Sequence, residues 1–192
     1  MKSFEDISNF IEAQISKVEY NLDLGDLTLK YGLHSFRYGT STYLDDLFKT
    51  LRLKERTVFY DLGSGYGKVI LYGAYHYPKI QFKGIEIIEE RNSICDQLIK
   101  ELRLKNIKTY CSNFFDVDFS DGDVFYIFNP LFEALYIKLI EKLRLVALKK
   151  QIIIIAESKC DVFDSVTWLS NKKTIDYHID IRKKMKFYQS TL

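Results

Sequence analysis

The run Val58 to Leu71, VFYDLGSGYGKVIL, holds the residues of this chain best suited to chemistry. An apolar segment ends in Asp61, and glycines follow at alternate positions, Gly63, Gly65 and Gly67, before apolar residues resume. This is the pattern of a buried strand that delivers a carboxylate to its carboxyl end, a turn without side chains, and a helix. Glycine there lets the backbone approach a bound small molecule closely, as where open α/β sheets take nucleotide-like ligands. Two phosphate-binding patterns do not fit. The dinucleotide fingerprint requires a third glycine where Lys68 stands. The P-loop requires glycine and Ser/Thr where Leu62 and Val69 stand.

Two further stretches carry polar groups at predicted strand ends. Glu86, in FKGIEII, is a carboxylate able to accept from both hydroxyls of a ribose, or simply the first residue of a polar helix surface with Glu89, Glu90 and Arg91. Asn129 and Pro130, in DVFYIFNPLF, follow a fourth strand, where Asn129 either faces a reacting group or caps the strand end.

The elements that must position these residues are legible as alternating patterns. Candidate strands are 57–61, 81–87, 107–111, 123–129 and 151–157, and candidate helices are 67–76, 89–104 and 132–147. This β-α-β rhythm predicts an α/β fold, a Rossmann-like, mostly parallel sheet covered by helices on both faces. Thr174–Ile181 and Met185–Ser190 read as a terminal antiparallel hairpin turning at Arg182, Lys183 and Lys184. Ahead of the core, residues 3–20 and 42–53 show helical spacing, separated by a less regular stretch punctuated by Gly25, Gly32 and Gly39.

With 192 residues, a 47% hydrophobic and 28% charged composition and a net charge of +2, the chain reads as an ordinary globular domain without a strong nucleic-acid signature. Cys95, Cys111 and Cys160 lack metal-ligand or redox spacing, so no metal is expected and a reducing, cytoplasmic compartment is. The N-terminus has no signal-peptide core, and the most apolar run, QIIIIA, is too short to cross a bilayer. No membrane insertion is expected, and the oligomeric state cannot be read.

The acidic-apolar-G-x-G-x-G order, followed by Glu86, resembles the class I S-adenosylmethionine-dependent methyltransferases over roughly residues 36–192. The resemblance implies one domain over 1–192, with 1–35 as a helical extension, and a seven-stranded sheet whose last strand inserts beside the fifth. It implies S-adenosyl-L-methionine as cofactor, with S-adenosyl-L-homocysteine as product. Gly63, Ser64, Gly65 and Gly67 would line the ligand, Tyr66 and Lys68 its rim, and Glu86 would hold the ribose. Asp61 would organise the loop near the methionine moiety, or merely cap the turn. In CSNFFDVDF, Asn113 stands where relatives carry the acid that contacts adenine, and Phe114 would cover the ring, at least one of Phe114 and Phe115 being core.

Upstream, Tyr38, Gly39 and Thr40 resemble the segment that folds over the methionine end in non-SET protein-lysine methyltransferases of the telomeric-silencing-disruptor type and small bacterial relatives. Thr40 replaces that motif's glutamate, and residues 40–42 are equally ordinary N-caps. Asn129, Pro130 and Phe132 are similar to the N-P-P-[YF] motif of enzymes that methylate exocyclic or amide nitrogens, with Leu131 at the third position. Both relatives imply transfer to nitrogen through an apolar channel of Tyr38, Phe128, Leu131 and Phe132. A protein lysine is the leading acceptor; adenine in nucleic acid, protein glutamine and a non-catalytic cofactor-binding module are the alternatives. His34, His76 and His178 lie outside these motifs.

Overall fold

The structure, a computed structural model, describes residues 4–32, 38–39, 41–177 and 184–192. Strands β1 (Val58–Leu62), β2 (Gln81–Glu86), β3 (Ile107–Cys111), β4 (Val124–Phe128), β5 (Ile153–Glu157), β6 (Leu169–Asp176) and β7 (Lys184–Ser190) form one sheet. Its order is β3-β2-β1-β4-β5-β7-β6. The first five strands are parallel, and β7 inserts antiparallel between β5 and β6. This is the Rossmann-like methyltransferase topology expected from the sequence, including the strand inserted beside the fifth.

Alternation along β1 explains the two-sided core. Phe59 faces a cluster with Phe82, Tyr126, Ile155 and Phe187, covered by α3 (Leu44–Leu51), α4 (Lys68–His76) and α5 (Glu89–Leu102). Tyr60 and Leu62 face the opposite cluster with Phe125, Ile127 and Ile154, covered by α6 (Glu133–Ala147) and the short α7 (Asp161–Asp164). The helix α1 (Phe4–Asn21) lies against α4 and α5 and buries Ile11 in the first cluster.

Three local readings change. The stretch expected to be irregular contains a helix, α2 (Leu24–Tyr31). Asp23 caps it by accepting from the amides of Gly25 (2.7 Å) and Asp26 (3.1 Å), and Gly32 ends it at a φ of 72°. The strand β6 starts at Leu169 rather than Thr174. It is an edge strand of the sheet, most of its residues are exposed, and its pairing shifts register between Asn171 and Lys173, so no apolar alternation marks its beginning. Of the expected hairpin turn, Arg182 and Lys183 lie outside the described residues and Lys184 opens β7. Among the described residues no helix is long and apolar enough to cross a membrane.

Candidate active site

The carboxyl ends of β1, β2, β4 and β5 converge on a cavity of about 270 Å³. Gly63 and Gly65 line it after β1, Ile85, Glu86 and Ile87 from β2, Asn113 and Phe114 after β3, Phe128, Asn129 and Pro130 from β4, and Ser158 after β5. Tyr38, Gly39 and Arg91 complete the wall. An open α/β sheet places its ligand in this crevice because the strand exits diverge there.

The glycine loop is built around left-handed backbone. Gly63, Gly65 and Gly67 have φ values of 87°, 55° and 77°. The amides of Gly63 and Ser64 both donate to the carbonyl of Ile85, at 2.9 and 3.0 Å, which presses the loop onto β2. A Cβ on Gly63 would stand 2.7 Å from Pro130 Cβ, and one on Gly65 would stand 2.8 Å from the Tyr38 ring. The third glycine has a different job. Gly67 caps α4 outside the cavity lining, and a Cβ there would meet Cys95 Sγ at 2.2 Å, so its role is close packing of α4 on α5.

Glu86 ties loop and strand together. Its Oε2 accepts from the Gly65 amide (2.8 Å) and its Oε1 from the Ile88 amide (2.9 Å). Burial raises its carboxyl above the ordinary value, while the Arg91 guanidinium and the amides pull the other way. A carboxylate offers about four lone-pair sites, so it keeps capacity to accept from a hydroxyl in the cavity. Asp61 is also buried but does not line the cavity. It shares the face of β1 with Phe59, beside Gly84 and Tyr126, and burial together with the charges of Glu86 and Glu157 raises its carboxyl well above the usual range. Ser64 lies just below the lining, with its Oγ buried and without a hydrogen-bond partner.

On the β3 side, Asn113 and Phe114 both reach the cavity and Phe115 does not. Asn113 Oδ1 accepts from the Phe115 amide at 2.9 Å, an Asx turn that leaves the second lone pair of that oxygen available. Phe114 is nearly fully buried, whereas Phe115 is partly buried against the second core cluster, its ring centroid 4.8 Å from that of Phe114 and 4.4 Å from Lys138 Nζ.

At the β4 exit, Asn129 adopts a φ of 48°, and Ser158 at the β5 exit a φ of 79°. Two non-glycine residues in left-handed backbone facing one cavity mark strain held by surrounding structure, as functional sites often show. Asn129 Oδ1 is buried with no hydrogen-bond partner. Phe128 packs against Gly39, where a Cβ would lie 2.7 Å from its ring. Leu131 turns into the second core cluster, and Phe132 precedes α6, half exposed and outside the lining. The expected channel is therefore walled by Tyr38 and Phe128, not by Leu131 or Phe132. Thr40, His34 and His178 lie outside the described residues.

The principal residue missed by sequence reading is Arg91. It is buried, lines the cavity, and makes a two-point ion pair with Glu19 of α1, at 2.9 and 2.7 Å. Its guanidinium carbon lies 5.8 Å from the centre of the Tyr38 ring, and Tyr66 donates to the same Glu19 at 2.7 Å. Tyr66 and Lys68, expected at the rim, are accordingly covered. Tyr66 is fully buried and Lys68 faces Glu12 at 3.8 Å, because α1 closes over this side. No short-range pattern announces a partner 72 positions away.

Backbone amides and a buried carboxylate, side by side where Cβ atoms are excluded, fit a ribose; the Asn113–Phe114 turn fits a flat base; and Asp61, Glu86 and Glu157, which oppose one another's ionisation, fit a cation whose charge would relieve that opposition. The family model for the histone methylation protein DOT1 matches residues 31–130. No curated protein matches the chain. Among solved structures it is similar to an RNA methyltransferase from Salinibacter ruber in complex with S-adenosyl-L-homocysteine, at 18% identity and a TM-score of 0.62, covering 80% of this chain and 94% of that one. A SAM-dependent methyltransferase from Aquifex aeolicus has 18% identity and a TM-score of 0.60, with 78% and 90% covered. TYW2 from P. horikoshii, in complex with MeSAdo, has 12% identity and a TM-score of 0.61, with 80% and 64% covered. At such identities the likeness to these structures is one of fold, while the family match spans more than half of the chain. The chain belongs to the DOT1 histone methylation protein family and is a class I S-adenosylmethionine-dependent methyltransferase.

Proposed function

We propose that this enzyme methylates a nitrogen of a protein, specifically a lysine side chain. The observation that carries the reading is Asn129 Oδ1, a buried acceptor without a partner in the same cavity as the Glu86-bound glycine loop. An unsatisfied buried acceptor is costly, and an N–H from an incoming nitrogen would satisfy it. In this reading Glu86 holds the ribose, Asn113 and Phe114 the adenine, and Gly63 and Gly65 the backbone cradle. Tyr38, with Gly39, covers the methionine end, and Asp61, Ser64 and Gly67 support the loop from below.

The cofactor supplies an activated methyl on a sulfonium, so the protein's task is largely alignment and exclusion of water. Asn129 Oδ1 and the Pro130 carbonyl orient the acceptor nitrogen. Tyr38 and Phe128 surround it with rings that disfavour a charged ammonium and so favour the neutral, nucleophilic amine. Two observations support lysine over a base: the family match to a histone methylation protein, and the half-exposed Phe132, which leaves the N-P-x-F segment without a stacking ring at the cavity. The free cysteines Cys95, Cys111 and Cys160 are compatible with a cytoplasmic setting, and residues 1–35 would form an extension on a 36–192 core.

The test incubates the protein and Asn129→Ala with methyl-labelled S-adenosylmethionine and a cell extract, then treats portions with protease or nuclease. Label that protease releases, that amino-acid analysis recovers as methyllysine and that the variant does not form is the expected result. Label released by nuclease, or recovered as methylglutamine, overturns the lysine reading. Cofactor binding without any transferred label points instead to a non-catalytic module.

A further inference from the structure

Helix α6 starts just after the acceptor exit and carries Lys142 to the loop that follows β3. Lys142 Nζ donates to three carbonyls of that loop, Phe114 at 3.1 Å, Phe115 at 2.6 Å and Val117 at 2.8 Å. The same nitrogen stands 4.6 Å from the centre of the Phe119 ring. An ammonium has three donors and no acceptor, so these carbonyls use it completely. Without the cation, three carbonyl dipoles would converge on one point and repel each other. The loop's own bonds, from the Phe115 amide to Asn113 Oδ1 and from the Asp116 amide to the Asn113 carbonyl, both 2.9 Å, close a turn, and the Ser112 amide ties the start of the loop to the Glu86 carbonyl of β2 at 2.9 Å. Lys142 ties the rest of it to α6, and the residues it pins include the Phe114 that lines the cavity.

We infer that Lys142 is the positioning residue for the base end of the cofactor cavity, setting the placement of Asn113 and Phe114 and thereby the affinity and base selectivity for the nucleoside. It touches neither cofactor nor acceptor; it acts through the loop. The inference rests on the reading that Asn113 and Phe114 receive adenine.

S-adenosyl-L-homocysteine and S-inosyl-L-homocysteine, which carries a ring carbonyl in place of the adenine amino group, are titrated calorimetrically into wild type, Lys142→Met and Lys138→Met. Wild type is expected to prefer the adenosyl ligand. Lys142→Met should bind it about tenfold or more weakly, with a smaller loss for the inosyl ligand, so that the preference narrows. Lys138→Met, which loses a contact to the Phe115 ring and none to the loop carbonyls, should stay near wild type. A folded Lys142→Met with wild-type affinity and preference overturns the inference. If that variant does not fold, Lys142→Arg keeps the charge but its planar fork cannot meet three carbonyls at one point. Unchanged adenosyl affinity there overturns the inference equally, and a several-fold loss supports it. Equal wild-type affinity for the two ligands sinks the reading of Asn113 and Phe114 as the adenine site and the inference with it, a different result from a wild-type preference that is insensitive to residue 142.

Discussion

Gly63 and Pro130 meet at the cavity floor: a Cβ on the glycine would lie 2.7 Å from that of the proline. The contact joins the loop after β1 to the exit of β4, which in the proposed mechanism are the donor and acceptor sides of the reaction. Close approach of the two is possible only because one partner has no side chain.

Gly63→Ala should therefore damage both sides at once. The alanine must adopt a φ of 87° and displace Pro130. A stability loss of about 2–4 kcal/mol is expected, with binding of S-adenosyl-L-homocysteine weakened beyond calorimetric detection. Thermal unfolding and titration measure the two effects. A variant that unfolds and binds like wild type would show that the loops can part freely.

Asn129 allows backbone and side chain to be separated. Asn129→Ala loses the acceptor oxygen and retains an unfavourable φ of 48°, at a cost of about 1–2 kcal/mol. Asn129→Gly removes the oxygen but relieves the backbone, and should be as stable as wild type. Both should lose about 100-fold or more in methyl transfer while binding cofactor normally. Transfer rescued in the glycine variant would assign Asn129 a purely conformational role.

The ion pair of Arg91 with Glu19 should hold α1 over the glycine loop. The side chains of Arg91 and Glu19 are 5% and 23% exposed, so Glu19→Ala takes a two-point carboxylate contact from a buried guanidinium. The expected loss is about 2–4 kcal/mol, with faster proteolysis within residues 4–21 and weaker cofactor binding. Denaturant unfolding and limited proteolysis read it. Glu19→Gln, able to accept but not to neutralise, should fall between.

Asp61 predicts a dependence on pH. Its native carboxyl titrates well above 3.8 because burial and the nearby Glu86 and Glu157 oppose its ionisation. The folded chain then holds this proton more tightly than the unfolded chain. Its contribution favours folding at low pH and is lost as pH rises from the ordinary carboxyl range through the raised native value. In the absence of cofactor, Asp61→Asn should be more stable than wild type at pH 8, with the difference shrinking towards pH 4. Denaturant midpoints across that range test the sign. The same variant should bind the cationic S-adenosylmethionine more weakly, whereas a stability difference constant with pH would mean that Asp61 is not strained by its charge.

The sequence by itself determined the sheet and the polar ends of its strands. A β-α-β alternation interrupted only between the third and fourth strands leaves few topologies, and a glycine loop after an acidic strand end places Asp61, Gly63, Gly65, Glu86 and Asn129 at one edge by connectivity alone. Such signals are local, so a single chain carries them in full. Tertiary structure alone decided which of these residues face the cavity. Gly67 serves helix packing, Asp61 lies beneath the site and Phe132 lies outside it, because side-chain direction at a strand exit depends on a φ such as that of Asn129. It also decided what closes the site. The Glu19–Arg91 pair and the bonds of Lys142 to three carbonyls join segments far apart in the chain, and polar contacts between distant segments leave no periodicity in the sequence between them.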